Sequence, residues 1–445
     1  MFRIIGPQAA VVRSTLHNGH CIATISAVWC SFERLALLFL IACRLQAYSV
    51  LTHEAIVDSA WDHDIRPVLL QQYPLSTPED LLKAHASAYG GCIIQDMGYY
   101  PFGSKYFSDL VHYVRSGDFV LNLIREAQTL NELAFALGAL AHYAADTQGH
   151  SVAVNRAVPL QYPKLAKKYG KVVTYADDKT SHLRVEFSFD VAQVARGSYA
   201  PQSYHDFIGF QVEKPVLERA FRDTYSIDLA DVFGDLDLAL ATYRHAVSSV
   251  IPELTRVAWH MKKEELAGAR PAVSKRKFIY NLSRASYRKE WHEKYQKPGI
   301  GARILAFIIR ILPKIGPLKA LSFQPPTPQT AALFETSFDR TLDEYRRLLN
   351  DESAHRLVLE DRDFDTGNPT RGGEYSLADD TYSKLTRKLA EKDPAAIDPV
   401  LLHNVLDFYS NLQLPYATKK NAKDWQQTVA AVGRLRTASA AARTE

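Results

Sequence analysis

The sequence predicts an all-helical protein. Apolar residues recur at helical spacing in THEAIVDSAWD, in TPEDLLKAHASAYG and, over a longer stretch, in LNELAFALGALAHYAAD. Pro252 stands just before ELTRVAWHMKKEELAGA, where a proline suits a first helical turn. No alternating strand pattern runs longer than KVVTY, residues 171–175.

Taken in order, the first 47 residues stand apart. LALLFLIA, residues 35–42, is preceded by Arg34 and ended by Arg44. It is too short to span a bilayer and fits the apolar region of a secretory signal. Ala47 suits the cleavage position, which makes Tyr48 the first mature residue. Leu40, Ile41, Ala42 and Cys43 also read as a lipobox, so a lipoprotein anchored at Cys43 is the rival route. Three of the four cysteines lie in this leader, and a mature chain keeps only Cys92. It then has no internal disulfide, and bound metal becomes a candidate cross-link. The expectation is export, to the periplasm or the extracellular space.

Residues 48–268 hold the helical patterns above and most of the chain's candidate ligands. The composition changes around Gly268, Ala269, Arg270 and Pro271, and residues 272–436 read as a second helical region of unassigned role. SFQPPTPQT and DTGNPTRGGEYS read as loops, and residues 437–445 as a frayed, disordered tail. RILAFIIRILPKIGPLKAL carries four basic residues in an apolar run. A buried helix pair is favoured there over a peripheral membrane contact. KRKFIYNLSRASYRKEWHEKY reads as a solvated amphipathic helix rather than a nucleic-acid patch. The formal net charge of +4 does not demand nucleic acid, and nothing implies a protein partner.

The chemistry concentrates in HYAADTQGH. On a helix, residues four apart are rotated by about 40° and rise by about 6 Å, so His142, Asp146 and His150 share a face with the carboxylate in the middle. A carboxylate can bridge two cations where an imidazole nitrogen cannot. His182 and Glu186 repeat the spacing in SHLRVEFSFD. Upstream lie His53, Asp96 and His112. Histidine and carboxylate ligands without thiolate suit hydrolytic zinc or manganese rather than a cysteine-rich structural site. His63 and Asp64 read as a solvated loop. Tyr99, Tyr100 and Phe107 fit a substrate mouth or the core equally well.

The ordered set YSVLTHEAIVD, QDMGYY, LVHYV, HYAADTQGHSVAVN and HLRVEFSFD resembles the zinc-dependent phospholipase C family. That superfamily also holds the S1/P1 nucleases and the catalytic domain of glycosylphosphatidylinositol-specific phospholipase D. The resemblance covers about residues 48–195. It implies a multi-helix phospholipase C/P1 nuclease-like core, here with a C-terminal helical extension. It also implies three Zn2+ ions: one on Asp96, His112, His142 and Asp146; a second on His150, His182 and Glu186; a third on His53, Asp146 and the terminal Tyr48. Asp96 would also orient or deprotonate the attacking water. Met97 stands where choline-specific members carry an aromatic, and the Trp-Gly start of the nucleases is missing. The expectation is an exported phosphodiesterase acting on phospholipids. A nuclease or other phosphodiesterase on the same core, and a metal-stabilised non-catalytic surface protein, are the alternatives.

Overall fold

A computed structural model describes residues 50–196, 210–251, 254, 255, 258 and 322–441. Among these the chain is helical with no strand, apart from one isolated antiparallel bridge between Arg362 and Pro369. KVVTY is irregular, and its Val173 N–H donates to the Asn155 carbonyl. Tyr48, the whole leader with Cys43, the basic stretch 275–295 and the apolar run 303–321 lie outside the described residues.

The helices that frame the site are α1 (Val50–Ala60), α2 (Pro78–Gly91), α3 (Lys105–Tyr113), α4 (Ser116–Glu126), α5 (Leu130–Gln148), α6 (Asn155–Gln161), α7 (Lys179–Arg196), α8 (Lys214–Tyr225), α9 (Pro328–Ser353), α10 (Ser376–Leu389) and α11 (Ala422–Ala441). Their ends follow local chemistry. Thr77 and Asp80 form a reciprocal capping box at the start of α2. Thr129 accepts the Glu132 N–H at the start of α5. Arg115, at the N-cap of α4, takes a left-handed φ of 49°, and the helix's first amides are capped from far away. The Gly117 and Asp118 N–H groups donate to one oxygen of Asp361.

Helix α5 is the axis of the molecule. Every residue from Leu133 to Asp146 is buried, the condition of a helix surrounded by others rather than lying at a surface. Backbone meets backbone where α2 crosses it. A Cβ on Gly138 would sit 2.1 Å from the Ala88 carbonyl oxygen, and one on Gly91 would sit 1.9 Å from that of Phe135. On another side α9 lays down Phe334, Phe338, Leu342, Tyr345, Leu348 and Leu349 as a buried apolar stripe. The Tyr345 hydroxyl donates to the Leu137 carbonyl. One continuous hydrophobic cluster therefore runs from α1 to α11, through both parts of the chain that composition separates.

A loop, residues 359–375, leaves α9 and crosses the C-terminal end of α5. Asp363 organises it: its Oδ1 accepts the Asp365 N–H at 2.9 Å, and its carbonyl accepts the Gly367 N–H at 2.7 Å. Gly367 has φ +73°, and a Cβ there would lie 2.6 Å from the Thr147 carbonyl oxygen. Only glycine meets both conditions without strain.

Candidate metal centre

The eight sequence-expected side chains all come from elements around α5, and all are at most 3% exposed. His142 and Asp146 are one turn apart on α5. His150 follows on a π-helical turn, Gly149–Val154, that continues the helix. Two hydroxyls compete for carbonyls there: Thr147 donates to Tyr143 O and Ser151 to Thr147 O. His53 comes from α1, His112 from α3, and His182 and Glu186 from α7. Asp96 sits on a short 3-10 turn, Ile94–Tyr99.

These residues form three groups of converging ligand atoms, each within 4.8 Å: His53, His142 and Asp146; Asp96, His112 and His142; His150, His182 and Glu186. In the first group His53 Nε2 lies 3.3 Å from Asp146 Oδ1 and His142 Nε2 lies 3.1 Å from Asp146 Oδ2. His112 Nε2 lies 3.4 Å from Asp96 Oδ1 and 3.6 Å from Asp146 Oδ2, so Asp146 faces two groups at once. Glu186 Oε1 stands 2.9 Å from His182 Nδ1 and 3.3 Å from His150 Nε2.

Those spacings suit a cation. Four ligands at 2.0–2.1 Å around zinc stand about 3.3 Å from one another. Several facing atoms are buried with no hydrogen bond: Asp96 Oδ1, both oxygens of Asp146 and of Glu186, His142 Nε2 and His182 Nδ1. Leaving that many polar atoms unsatisfied costs a folded protein heavily, unless an ion takes up their lone pairs. The rings are also aimed. Carbonyl oxygens of Ser108, Cys92 and Phe364 accept the Nδ1–H of His112, His142 and His150 at 2.7, 2.9 and 3.1 Å. Asn155 Oδ1 accepts the Nε2–H of His182 at 2.9 Å. In each ring the other nitrogen carries the lone pair and points into its group. The donor set and its geometry fit zinc.

Electrostatics agree. Burial alone would lower His112 and His150, but the facing carboxylates, Asp146 and Asp96 for the first, Asp146 and Glu186 for the second, raise both to about 10. Burial would raise Asp146, yet His142 and His150 hold it well below the usual carboxylate range. Burial does raise Asp96. Such opposed shifts show that the carboxylates and imidazoles of this buried cluster act strongly on one another.

Met97 and Phe107 are core residues, and Tyr100 packs edge-on against Tyr243 at 5.1 Å. Tyr99 instead lines a small cavity beside the cluster, together with His112, His150, Tyr175, His182, Glu186 and Asp365. Its volume of about 10 Å³ is room for roughly one water. A much larger cleft of about 740 Å³, lined by Arg115, Asp118, Arg222 and Asp398, holds none of these ligands. His63 is exposed, and Asp64 pairs with Arg346 at 3.1 Å. Sequence reasoning missed Asn155, Phe364 and Asp365. Asn155 belongs to no spacing pattern, and Phe364 acts through its backbone. The three aspartates of DRDFD were the one available signal.

An all-helical fold around three buried histidine–carboxylate groups that could hold metal ions suits a metal-dependent hydrolase. Residues 52–235 match the family model for zinc dependent phospholipase C, and this part of the chain belongs to that family. The protein is accordingly a zinc-dependent phosphodiester hydrolase. No curated protein and no solved structure matches the chain. The matched segment opens just before His53 and closes beyond Glu186, leaving the helices from α9 onward unmatched.

Proposed function

We propose that this protein is an exported phospholipase of the C type with three zinc ions. Asp96, His112, His142 and Asp146 would hold one, His150, His182 and Glu186 another, and His53, Asp146 and the amine and carbonyl of a mature Tyr48 the third. The observation that carries the reading is Asp146, whose two buried oxygens face histidines of different groups. Bound zinc supplies neutralisation of the phosphodiester's charge and activation of water. The chain's own contributions are positional. Asp96 keeps one oxygen without a hydrogen bond, and burial raises its proton affinity. In this reading Asp96 would also orient the attacking water and take its proton. Tyr99 and Tyr175 wall the cavity, and the Lys179 ammonium lies 5.1 Å over the Tyr175 ring. In this reading residues 48–268 carry the ligands, and Asp365 from the second region lines the cavity beside them. Among the described residues no helix is long and apolar enough to cross a membrane.

The test is product analysis. The protein beginning at Tyr48 is incubated with mixed phospholipid vesicles, with and without chelator. Chelator-sensitive diacylglycerol supports the proposal. Phosphatidic acid moves the cleavage to the D type. No lipid product, with cleavage of single-stranded nucleic acid, replaces it with the nuclease reading. Full zinc occupancy with no turnover of any diester leaves a metal-stabilised protein without catalysis.

A further inference from the structure

We propose that the loop at residues 363–365, far outside the matched segment, is a working part of the metal centre, with Asn155 and Asp365 as positioning residues for His150 and His182. The proposal rests on the reading of His150, His182 and Glu186 as a zinc site. An imidazole serves as a rigid ligand only when its other ring N–H is held by an acceptor. For His150 that acceptor is the Phe364 carbonyl, at 3.1 Å. For His182 it is Asn155 Oδ1, at 2.9 Å. Asn155 is anchored in turn, because its Nδ2 donates to the Asp365 carbonyl at 2.6 Å. Both rings are therefore tied to consecutive peptide units of one loop.

The loop is held from several directions. Asp365 Oδ2 accepts hydroxyls from Tyr113, at 2.9 Å, and from Tyr375. The Phe364 N–H donates to the His112 carbonyl at 3.3 Å, and the Phe364 ring packs at 5.1 Å from His112 and 5.9 Å from His142. With Oδ2 so engaged, Asp365 Oδ1 stands 3.6 Å from His150 Nδ1. A carboxylate behind an imidazole strengthens it as a ligand. One three-residue segment thus supports two groups of the cluster, and its Asp365 also lines the cavity.

The test uses the full, zinc-loaded protein titrated with chelators of graded strength, with cobalt substitution as a spectroscopic check. In Asn155→Leu and in Asp365→Asn, one ion should leave about 10–100-fold more readily while the others leave as in the parent. The cobalt absorption of that site should change. Asn155→Asp keeps an acceptor for His182 but loses the Nδ2–H given to the Asp365 carbonyl, so it should recover part of the affinity lost in Asn155→Leu. Parent-like affinity in both Asn155→Leu and Asp365→Asn overturns the proposal, as does an equal loss in Asn155→Leu and Asn155→Asp. Should Asn155→Leu fail to fold, the nearly isosteric Asp365→Asn decides alone. His150→Ala separates the two readings. If it keeps full zinc, the site assignment itself fails. If it loses one ion while Asn155→Leu and Asp365→Asn lose none, only the role of the loop fails.

Discussion

At the scale of single residues, burial sets what each polar group must find. His142 has its Nδ1–H on Cys92 O and its Nε2 toward Asp146. His142→Ala should therefore remove at least one zinc per molecule and lower the melting temperature, because multisite metal binding and folding are coupled. Unchanged zinc content by elemental analysis would sink the site assignment. Asp361 gives a separate prediction. Burial and then the neighbouring Asp118 raise it to about 6, from an ordinary value of 3.8. A carboxyl raised in the folded state adds stability that is complete below about pH 3.8 and is lost as pH rises through about 6. Between those limits the parent should gain roughly 3 kcal/mol relative to Asp361→Asn as the pH falls. Urea denaturation of both proteins at pH 4 and pH 7 would show it; a constant difference would refute it. Five of the eight candidate ligands were legible from spacing, because residues four apart on a helix share a face, whereas His53, Asp96 and His112 were tied to them only by the family resemblance. The supports of the rings were not legible. A carbonyl such as Phe364 O leaves no trace in residue identity, and Asn155 meets His182 only because α6 and α7 pack together.

At the scale of elements, the helices were legible wherever one face had to be apolar. The capping box at Thr77 and the buried run of α5 are written in the residue order. The π turn at His150 was not, since it arises where Thr147 and Ser151 hydroxyls take carbonyls of the preceding turn. Close approach is equally silent until helices are placed. Gly138→Ala forces a methyl against the Ala88 carbonyl and should cost about 1–3 kcal/mol. Gly433 lies on α11 with nothing within 4 Å of its would-be Cβ. Gly433→Ala should instead stabilise by about 0.5–1 kcal/mol, through the better helix propensity of alanine. Chemical denaturation of the pair checks both signs, and equal effects would show that the α2–α5 contact is not so tight.

At the scale of the whole molecule, α9 covers α5 with Phe334, Phe338, Leu342 and Tyr345. A fragment of residues 48–268 would expose the face they cover, and should aggregate or fail to melt cooperatively. A soluble, zinc-binding fragment would show instead that the first part folds alone. Chelation of the intact protein should lower its melting point. Each site held at 100 times its dissociation constant contributes about 2.7 kcal/mol. A melting temperature indifferent to chelator would mean that the cluster's carboxylates and imidazoles satisfy one another without metal. Composition showed two regions because polarity and charge do change near residue 268. It could not show that apolar stripes on either side of that change face one another.

The bond from His150 to the Phe364 carbonyl also sets an order in time. The two residues are 214 positions apart. A growing chain emerges N-terminus first, and contacts of such long range form late. During synthesis the candidate ligands of α5 and α7 exist for a long interval without the carbonyl that holds His150. In the proposed reading, metal capture by the complete centre is an event of the finished chain, and a protein cut short before residue 364 would be an incomplete chelator rather than a smaller enzyme.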